Sequence, residues 1–180
     1  MDVLVIIPTY NERDNLPVLS QGILAHEGFR LLVVDDDSPD GTGRIADALA
    51  AAHPDRIEVL HRQGQRGLGR SYVEGLQRAL NTDAELILQM DADLSHNPEY
   101  LPALASAAQQ YEVVIGSRYL HGDSVVNWPL HRLFLTAFAN RSIRAVTRLS
   151  PRDCTSGFRC WRRDALAAVP LNRVFSDGYA

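Results

Sequence analysis

Short apolar runs recur along the chain at Val3 to Ile7, Leu31 to Val34, Ile57 to Leu60, Leu86 to Met90 and Val113 to Ile115. Each is too short for a helix and is bounded by polar or turn residues, the pattern of strands covered on both faces. Between them, apolar positions take helical spacing at Asn15 to Ala25, Thr42 to Ala52, Gly69 to Asn81 and Pro98 to Gln110, with Thr42 and Asn97 placed to cap their helices. Strand and helix alternate, so the pattern predicts an α/β fold: a parallel sheet with right-handed crossovers. In such a sheet the ligand crevice opens beyond the carboxyl ends of the strands, which makes the residues following each strand the place to look for chemistry.

The alternation stops after Gly116. A loop containing Gly, Asp, Asn and Pro leads to Pro129, and Leu130 to Leu149 reads as one long helix appended to the sheet. Leu130, Phe134, Ala137 and Phe138 fall near one face of that helix, and Arg132, Arg141, Arg144 and Arg148 are distributed about it. Two readings fit: a basic amphipathic segment lying at an anionic membrane surface, or a packed helix with a solvated Arg face. Phe158 to Trp161 returns as a short strand before a helix near Asp164 to Val169.

Composition narrows the class. With 180 residues, 46% hydrophobic and 22% charged, the chain suits one soluble globular domain and not a disordered segment. Pro8 halts the first apolar run after five residues and no later run reaches a spanning length, so the expectation is a cytoplasmic chain without a membrane span. Cys154 and Cys160 are the only cysteines, and their spacing suggests neither a disulfide framework nor a zinc site. The net charge of −4 conceals an asymmetry: residues 128 to 173 hold nine Arg against Asp153 and Asp164, a surplus of seven positive charges that leaves −11 elsewhere. Every basic residue is Arg and none is Lys.

The acidic charge collects at strand ends. The first strand runs into Pro8, Thr9, Tyr10, Asn11 and Glu12, the second into Asp35, Asp36, Asp37, Ser38, Pro39, Asp40 and Gly41, and the fourth into Asp91, Ala92 and Asp93. Carboxylates sharing a cleft raise each other's pKa, and a divalent cation is the simplest remedy. Asp91 and Asp93, two apart, point to one side if the extended geometry persists and then address one ion together. Mg²⁺ or Mn²⁺ fits, since such ions favour oxygen ligands and take one or two carboxylates with substrate phosphates completing the shell. Asp35 to Asp37 reads either as a turn of solvated carboxylates or as a site where one of them accepts hydrogen bonds from a nucleobase or ribose. Tyr10 is either core filler or an aromatic placed to stack on a base. Gly64, Gly67 and Gly69 fit neither GxGxxG nor the P-loop and read as helix-entry glycines.

Taken together, Ile7 to Glu12, Val34 to Thr42, Asp91 to Pro98 and Gly116 to Tyr119 resemble the family 2 glycosyltransferases, and among them the polyprenol-phosphate (dolichol-phosphate) mannosyltransferases. The likeness continues in order through Asn127-Trp128-Pro129, Arg132 and Asp153 to Phe158. It implies a GT-A fold, Rossmann-like and mostly parallel with helices on both faces. It also implies GDP-mannose as donor, a polyprenol or dolichyl phosphate at the membrane surface as acceptor, and inversion at the anomeric carbon to a β-linked product. Carried over by position, Pro8, Tyr10, Glu12, Val34 and Asp36 hold guanosine, Asp91 and Asp93 bind the ion and diphosphate, and Ala92 lines the donor. Arg118, Arg132 and Thr136 match positions that grip the acceptor phosphate, and Asp93, Arg118 and Asp153 form the catalytic set, Asp153 approaching the donor sugar. Ser95 stands where some relatives place a Gln metal ligand, and its hydroxyl is a poorer one.

The resemblance also implies a peripheral association with the cytoplasmic membrane face, through a separate anchoring subunit or segment, and no nucleic-acid partner. Residues 1–180 are expected to form a single GT-A-type catalytic domain truncated at its C-terminus, because relatives continue past Ala180 into a segment with further basic residues. Three rival readings follow: a UDP-glucose-dependent transferase, a catalytically weak nucleotide-sugar binding domain, and a phosphoacceptor receiver module. The last wants a Lys in its crevice, and the chain has none.

Overall fold

The computed structural model of the protein describes residues 1–117, 153 and 155–174. The long helix expected at Leu130 to Leu149, together with Arg118, Arg132, Thr136 and Cys154, lies outside them. The first strand, β1 (Val3–Thr9), is followed by α1 (Asn15–Leu24), β2 (Phe29–Asp35), α2 (Thr42–Ala52), β3 (Ile57–His61), α3 (Leu68–Leu80) and β4 (Leu86–Gln89). A 3-10 turn, Pro98–Tyr100, leads into α4 (Leu101–Ala107) and β5 (Val113–Ile115). The strand β6 (Arg159–Arg162) then runs directly into a short helix, Arg163–Ala167.

Alternation along the strands explains the layers. Val3, Val5 and Ile7 of β1 and Leu31 and Val33 of β2 pack with Leu16, Leu19 and Ile23 of α1, Ala46 of α2 and Leu101 and Leu104 of α4 on one face. Leu4, Ile6, Leu32 and Val34 point the other way, onto Tyr72, Leu76 and Ala79 of α3. All seven residues of β1 are buried. Gly75 permits the close seating of α3, since a Cβ there would lie 2.7 Å from Ile6 Cγ2 and 3.0 Å from Val34 Cγ2. Among the described residues no helix is long and apolar enough to cross a membrane.

The sheet has six strands in the order β3-β2-β1-β4-β6-β5. This is the mostly parallel sheet expected, and the run expected to return at Phe158 to Trp161 supplies its sixth strand, β6. The pairs β3-β2, β2-β1 and β1-β4 are parallel, but β6 enters antiparallel between β4 and β5. Strand β5 therefore gains its hydrogen bonds from β6 and not from β4. The physical reason is that β6 arrives from the far side of a long connection, where a βαβ crossover does not dictate direction.

Two capping expectations divide. Asn97 caps its turn through a 3.0 Å hydrogen bond accepted from the Glu99 N–H. Thr42 does not occupy the cap: Gly41 does, at φ 94°, and Thr42 is the first helical residue. Asp40 takes over the capping role, its Oδ1 accepting from both the Thr42 N–H (2.9 Å) and hydroxyl (2.6 Å). That hydrogen bonding holds the Asp40 carboxyl below the usual carboxylate range. Freed of the cap, Thr42 Oγ1 accepts from the Glu12 N–H at 3.0 Å and ties the loop after β1 to that after β2.

Candidate active site at the carboxyl edge of the sheet

From β1 the chain proceeds outward to β2 and β3 in one direction, whereas β4 lies on the other flank of β1. The strand order therefore reverses between β1 and β4, and a crevice is expected beyond their carboxyl ends. A cleft of about 500 Å³ lies there, lined by Pro8, Thr9, Tyr10, Glu12, Asp36, Arg66, Gly67, Leu68, Ser71, Asp91, Ala92 and Asp93. Of the residues expected to bind donor, it contains all but Val34, which is fully buried against α3 with Ile6 and Tyr72. Asp153 is also fully buried, accepts a 3.1 Å hydrogen bond from Thr155, and is not among the lining residues.

The three carboxylates after β2 have three different fates. Asp35 is structural: its Oδ1 accepts from the hydroxyls of Thr9 (3.3 Å) and Ser38 (2.6 Å). Asp36 lines the cleft but is paired on its inner side, Oδ1 with Arg62 and Oδ2 with the Gly67 N–H at 2.8 Å. Asp37, left-handed at φ 56°, turns outward to Arg66. The Arg62 side chain is 4% exposed and also reaches Glu74 at 2.8 Å, the Ser71 hydroxyl at 3.1 Å and the Gln65 carbonyl at 3.2 Å.

Arg66 spans the mouth of the cleft. It donates to the Tyr10 hydroxyl (3.0 Å) and to Asp37 Oδ2 (2.9 Å), with its guanidinium carbon 4.9 Å from the centre of the Tyr10 ring. Tyr10 is 45% exposed, which rules out core filler and leaves an aromatic surface in the cleft wall.

Arg62 and Arg66 are the functional residues that sequence reasoning missed. They offset much of the acidic edge internally, so the argument that crowded carboxylates require a cation applies to Asp91 and Asp93 and not to the whole cluster. A signal was present, because both arginines follow β3 on the same edge as the other motifs.

Asp91 and Asp93 do not converge by strand alternation, since β4 ends at Gln89 and Leu94 takes a left-handed φ of 62°. The bend instead presents Asp91, Ala92 and Asp93 together to the cleft. Each carboxylate has one oxygen oriented by a donor: Asp91 Oδ1 by the Tyr72 hydroxyl at 2.7 Å, and Asp93 Oδ1 by the Ser95 N–H at 3.0 Å. Burial, then the Asp91 charge, pushes the Tyr72 phenol well above its ordinary value, so it remains a donor. These hard oxygens fit a Mg²⁺ or Mn²⁺ ion that draws its remaining ligands from phosphate and water. Among the described residues no group of three or more His, Cys, Asp and Glu side chains is arranged to hold a metal, so such an ion would depend on the substrate for its shell. Cys160 is buried, and its thiol is pushed up to about 12 by that burial, consistent with an inert core residue.

Known proteins repeat this architecture. The sequence pattern described as "Glycosyl transferase family 2" matches residues 4–169. The chain is 46% identical over 179 residues to polyprenol monophosphomannose synthase of Mycolicibacterium smegmatis, covering 98% of this chain and 67% of that protein. It is 44% identical to undecaprenyl-phosphate mannosyltransferase of Micrococcus luteus, covering 99% of this chain and 74% of that protein. Dolichol-phosphate mannosyltransferase of Pyrococcus furiosus is 37% identical, with 97% of this chain and 50% of that protein covered. The chain thus spans half to three quarters of the length of these relatives.

Among solved structures, glucosyl-3-phosphoglycerate synthase from Mycobacterium tuberculosis in complex with Mn²⁺, uridine-diphosphate and phosphoglyceric acid superposes with a TM-score of 0.69 at 20% identity, covering 99% of this chain and 60% of that one. Identity that low speaks to the fold alone, and the fold is the GT-A glycosyltransferase arrangement. The match over nearly the whole chain, together with the identity to these relatives, places this protein in glycosyl transferase family 2.

Proposed function

We propose that this chain carries the donor-binding and catalytic face of a polyprenol-phosphate mannosyltransferase, moving mannose from GDP-mannose to a polyprenyl phosphate with inversion. The observation that carries the reading is the order of the cleft across the sheet: Tyr10 with Arg66 and Asp36 toward β2 and β3, Asp91 and Asp93 on the β4 side. This arrangement suits a nucleoside at one end and a diphosphate at the other. The names of the relatives support the mannosyl and polyprenol-phosphate assignment.

In this reading the exposed Tyr10 ring supplies a stacking surface for the base, and Asp36 is available at the wall for a nucleoside hydroxyl or amine. Asp91 and Asp93 would hold the divalent ion, which, when bound, supplies compensating charge to the departing diphosphate. The acceptor monophosphate has a second pKa of about 6 and is already an anionic nucleophile at neutral pH. Its oxygen attacks the anomeric carbon as the bond from that carbon to the GDP β-phosphate oxygen breaks, so GDP leaves and no strong base is needed. Holding two anionic reactants together is the main task, and fixed positive charge performs it. Arg118, Arg132 and Thr136 are proposed for the acceptor phosphate from their positions in the sequence, and Asp153 for the sugar side of the donor. The lipid acceptor puts the reaction at a membrane surface.

A transfer assay tests the proposal. Radiolabelled GDP-mannose with polyprenyl phosphate and Mn²⁺ or Mg²⁺ is expected to give a labelled lipid product that EDTA abolishes. Product from UDP-glucose in its place reassigns the donor, and GDP uptake with no lipid product from either donor reduces the chain to a binding domain.

A further inference from the structure

The two carboxylates of the cation site are not held alike. Asp93 sits on the exposed bend and is oriented by its own loop, through the Ser95 N–H. Asp91 is enclosed from three sides, two of them by segments distant in sequence and one by its own loop. From α3, the Tyr72 hydroxyl donates to Oδ1 at 2.7 Å. From the loop after β4, His96 Nδ1 accepts from the Asp91 backbone N–H at 3.1 Å, which puts the ring proton on Nε2, 3.9 Å from Asp91 Oδ2. The His96 ring is itself fixed by stacking on Phe158 at 4.9 Å with an 11° interplanar angle. From the segment before β6, Gly157 presses so close that a Cβ there would lie 2.8 Å from Asp91 Oδ2 and 3.0 Å from Oδ1.

Tyr72 is 4% exposed, and its ring is packed among Leu4, Ile6, Leu32 and Val34. A buried phenol needs an acceptor, and Tyr72 finds it in a carboxylate that lines the cleft. We infer that Tyr72 is a positioning residue for the metal site: its hydroxyl, working against the Gly157 backbone and the His96 ring, holds Asp91 in a single orientation ready for a divalent cation. The inference rests on the two-carboxylate cation site proposed above. Outer partners that orient a ligating carboxylate typically change metal affinity by about 10- to 100-fold when removed. Asp91 is then the preorganised ligand, and Asp93 the one that adapts as nucleotide enters.

Tyr72→Phe keeps the ring and removes only the hydroxyl. Mn²⁺ titrated into the chain at saturating GDP, with free Mn²⁺ followed by electron paramagnetic resonance, is expected to bind roughly 10- to 100-fold more weakly in the variant. GDP affinity in EDTA and the thermal midpoint should stay near wild type, whereas a purely structural role would lower both. Gly157→Ala, which crowds the same carboxylate from the other side with the Tyr72 hydroxyl intact, should reproduce the loss of Mn²⁺ affinity. Equal Mn²⁺ affinity in wild type and Tyr72→Phe overturns the inference alone. Absence of Mn²⁺ uptake by wild type with GDP overturns the cation site and the inference with it.

Discussion

Asp93→Ala is expected to lower mannosyl transfer by roughly 10³-fold or more while leaving the fold intact. Charge compensation by a bound divalent ion is worth several kcal/mol in a transition state, and each 1.4 kcal/mol or so is tenfold in rate. A site with two protein carboxylates has none to spare, because the rest of the shell must come from phosphate and water. Asp93 is exposed and its described hydrogen bond is to the neighbouring Ser95 N–H. Its removal should therefore change stability by no more than about 0.5 kcal/mol, as for surface positions in general. Initial rates across a Mn²⁺ series, together with a thermal melt, check both halves of the prediction. Retained Mn²⁺-dependent donor affinity in the variant would reject the metal assignment.

Arg62→Ala should show the opposite profile, a loss of stability first and of function as its consequence. The guanidinium is 4% exposed and the Asp36 carboxylate it pairs with is 10% exposed. Breaking a buried pair by removing one partner leaves an uncompensated charge and costs about 3 to 5 kcal/mol. The Arg62 Nε meets no acceptor among the described residues, and an unsatisfied buried donor is itself unfavourable by about 1 to 3 kcal/mol. The pair is therefore worth less than an ideal one, which points to the lower end, about 3 kcal/mol. Urea denaturation should show an earlier midpoint with an unchanged slope. Because Arg62 also holds Glu74, Ser71 and the Gln65 carbonyl, the segment carrying Arg66 and Gly67 should loosen, and GDP affinity should fall with it. The double variant Asp36→Ala/Arg62→Ala should lose less stability than the two single losses together, since no lone charge remains buried.

The parallel half of the sheet was legible because β1, β2 and β4 are buried on both faces and read as unbroken apolar runs. The strand-end rule then located the cleft without any knowledge of its shape. What was not legible has particular causes. The antiparallel entry of β6 between β4 and β5 is a long-range pairing that no local pattern encodes. Strand alternation would put Asp91 and Asp93 on one side, but β4 ends at Gln89 and both reach the cleft from a bend with Leu94 in the left-handed region. Arg62 and Arg66 are marked in the sequence only by their place after β3; that they pair with Asp36 and Asp37 is a contact between separate loops that the local pattern does not encode. Tyr72 is not singled out by the sequence: its ring joins the core, and only the three-dimensional structure brings its hydroxyl to Asp91. Val34 belongs by sequence to the donor motif, but its side chain packs beneath the cleft and not into it.

Strained backbone collects at the same edge. Among the described residues, the non-glycine positions with positive φ are Asn11, Asp37 and Leu94, each in the loop following β1, β2 or β4. Such conformations are unfavourable by about 1 to 3 kcal/mol each and persist where the surroundings over-determine them. Here they turn the chain sharply at the three strand ends that supply Tyr10, Asp36 and the Asp91-Ala92-Asp93 bend.

Isothermal titration of GDP into the chain, with Mn²⁺ and again in EDTA, tests the whole account most directly. The proposed site predicts binding in both conditions, at least about tenfold tighter with the ion, because Asp91 and Asp93 would engage the diphosphate only through it. Identical affinities with and without Mn²⁺, or no uptake by a sample whose melting transition shows it to be folded, would contradict it.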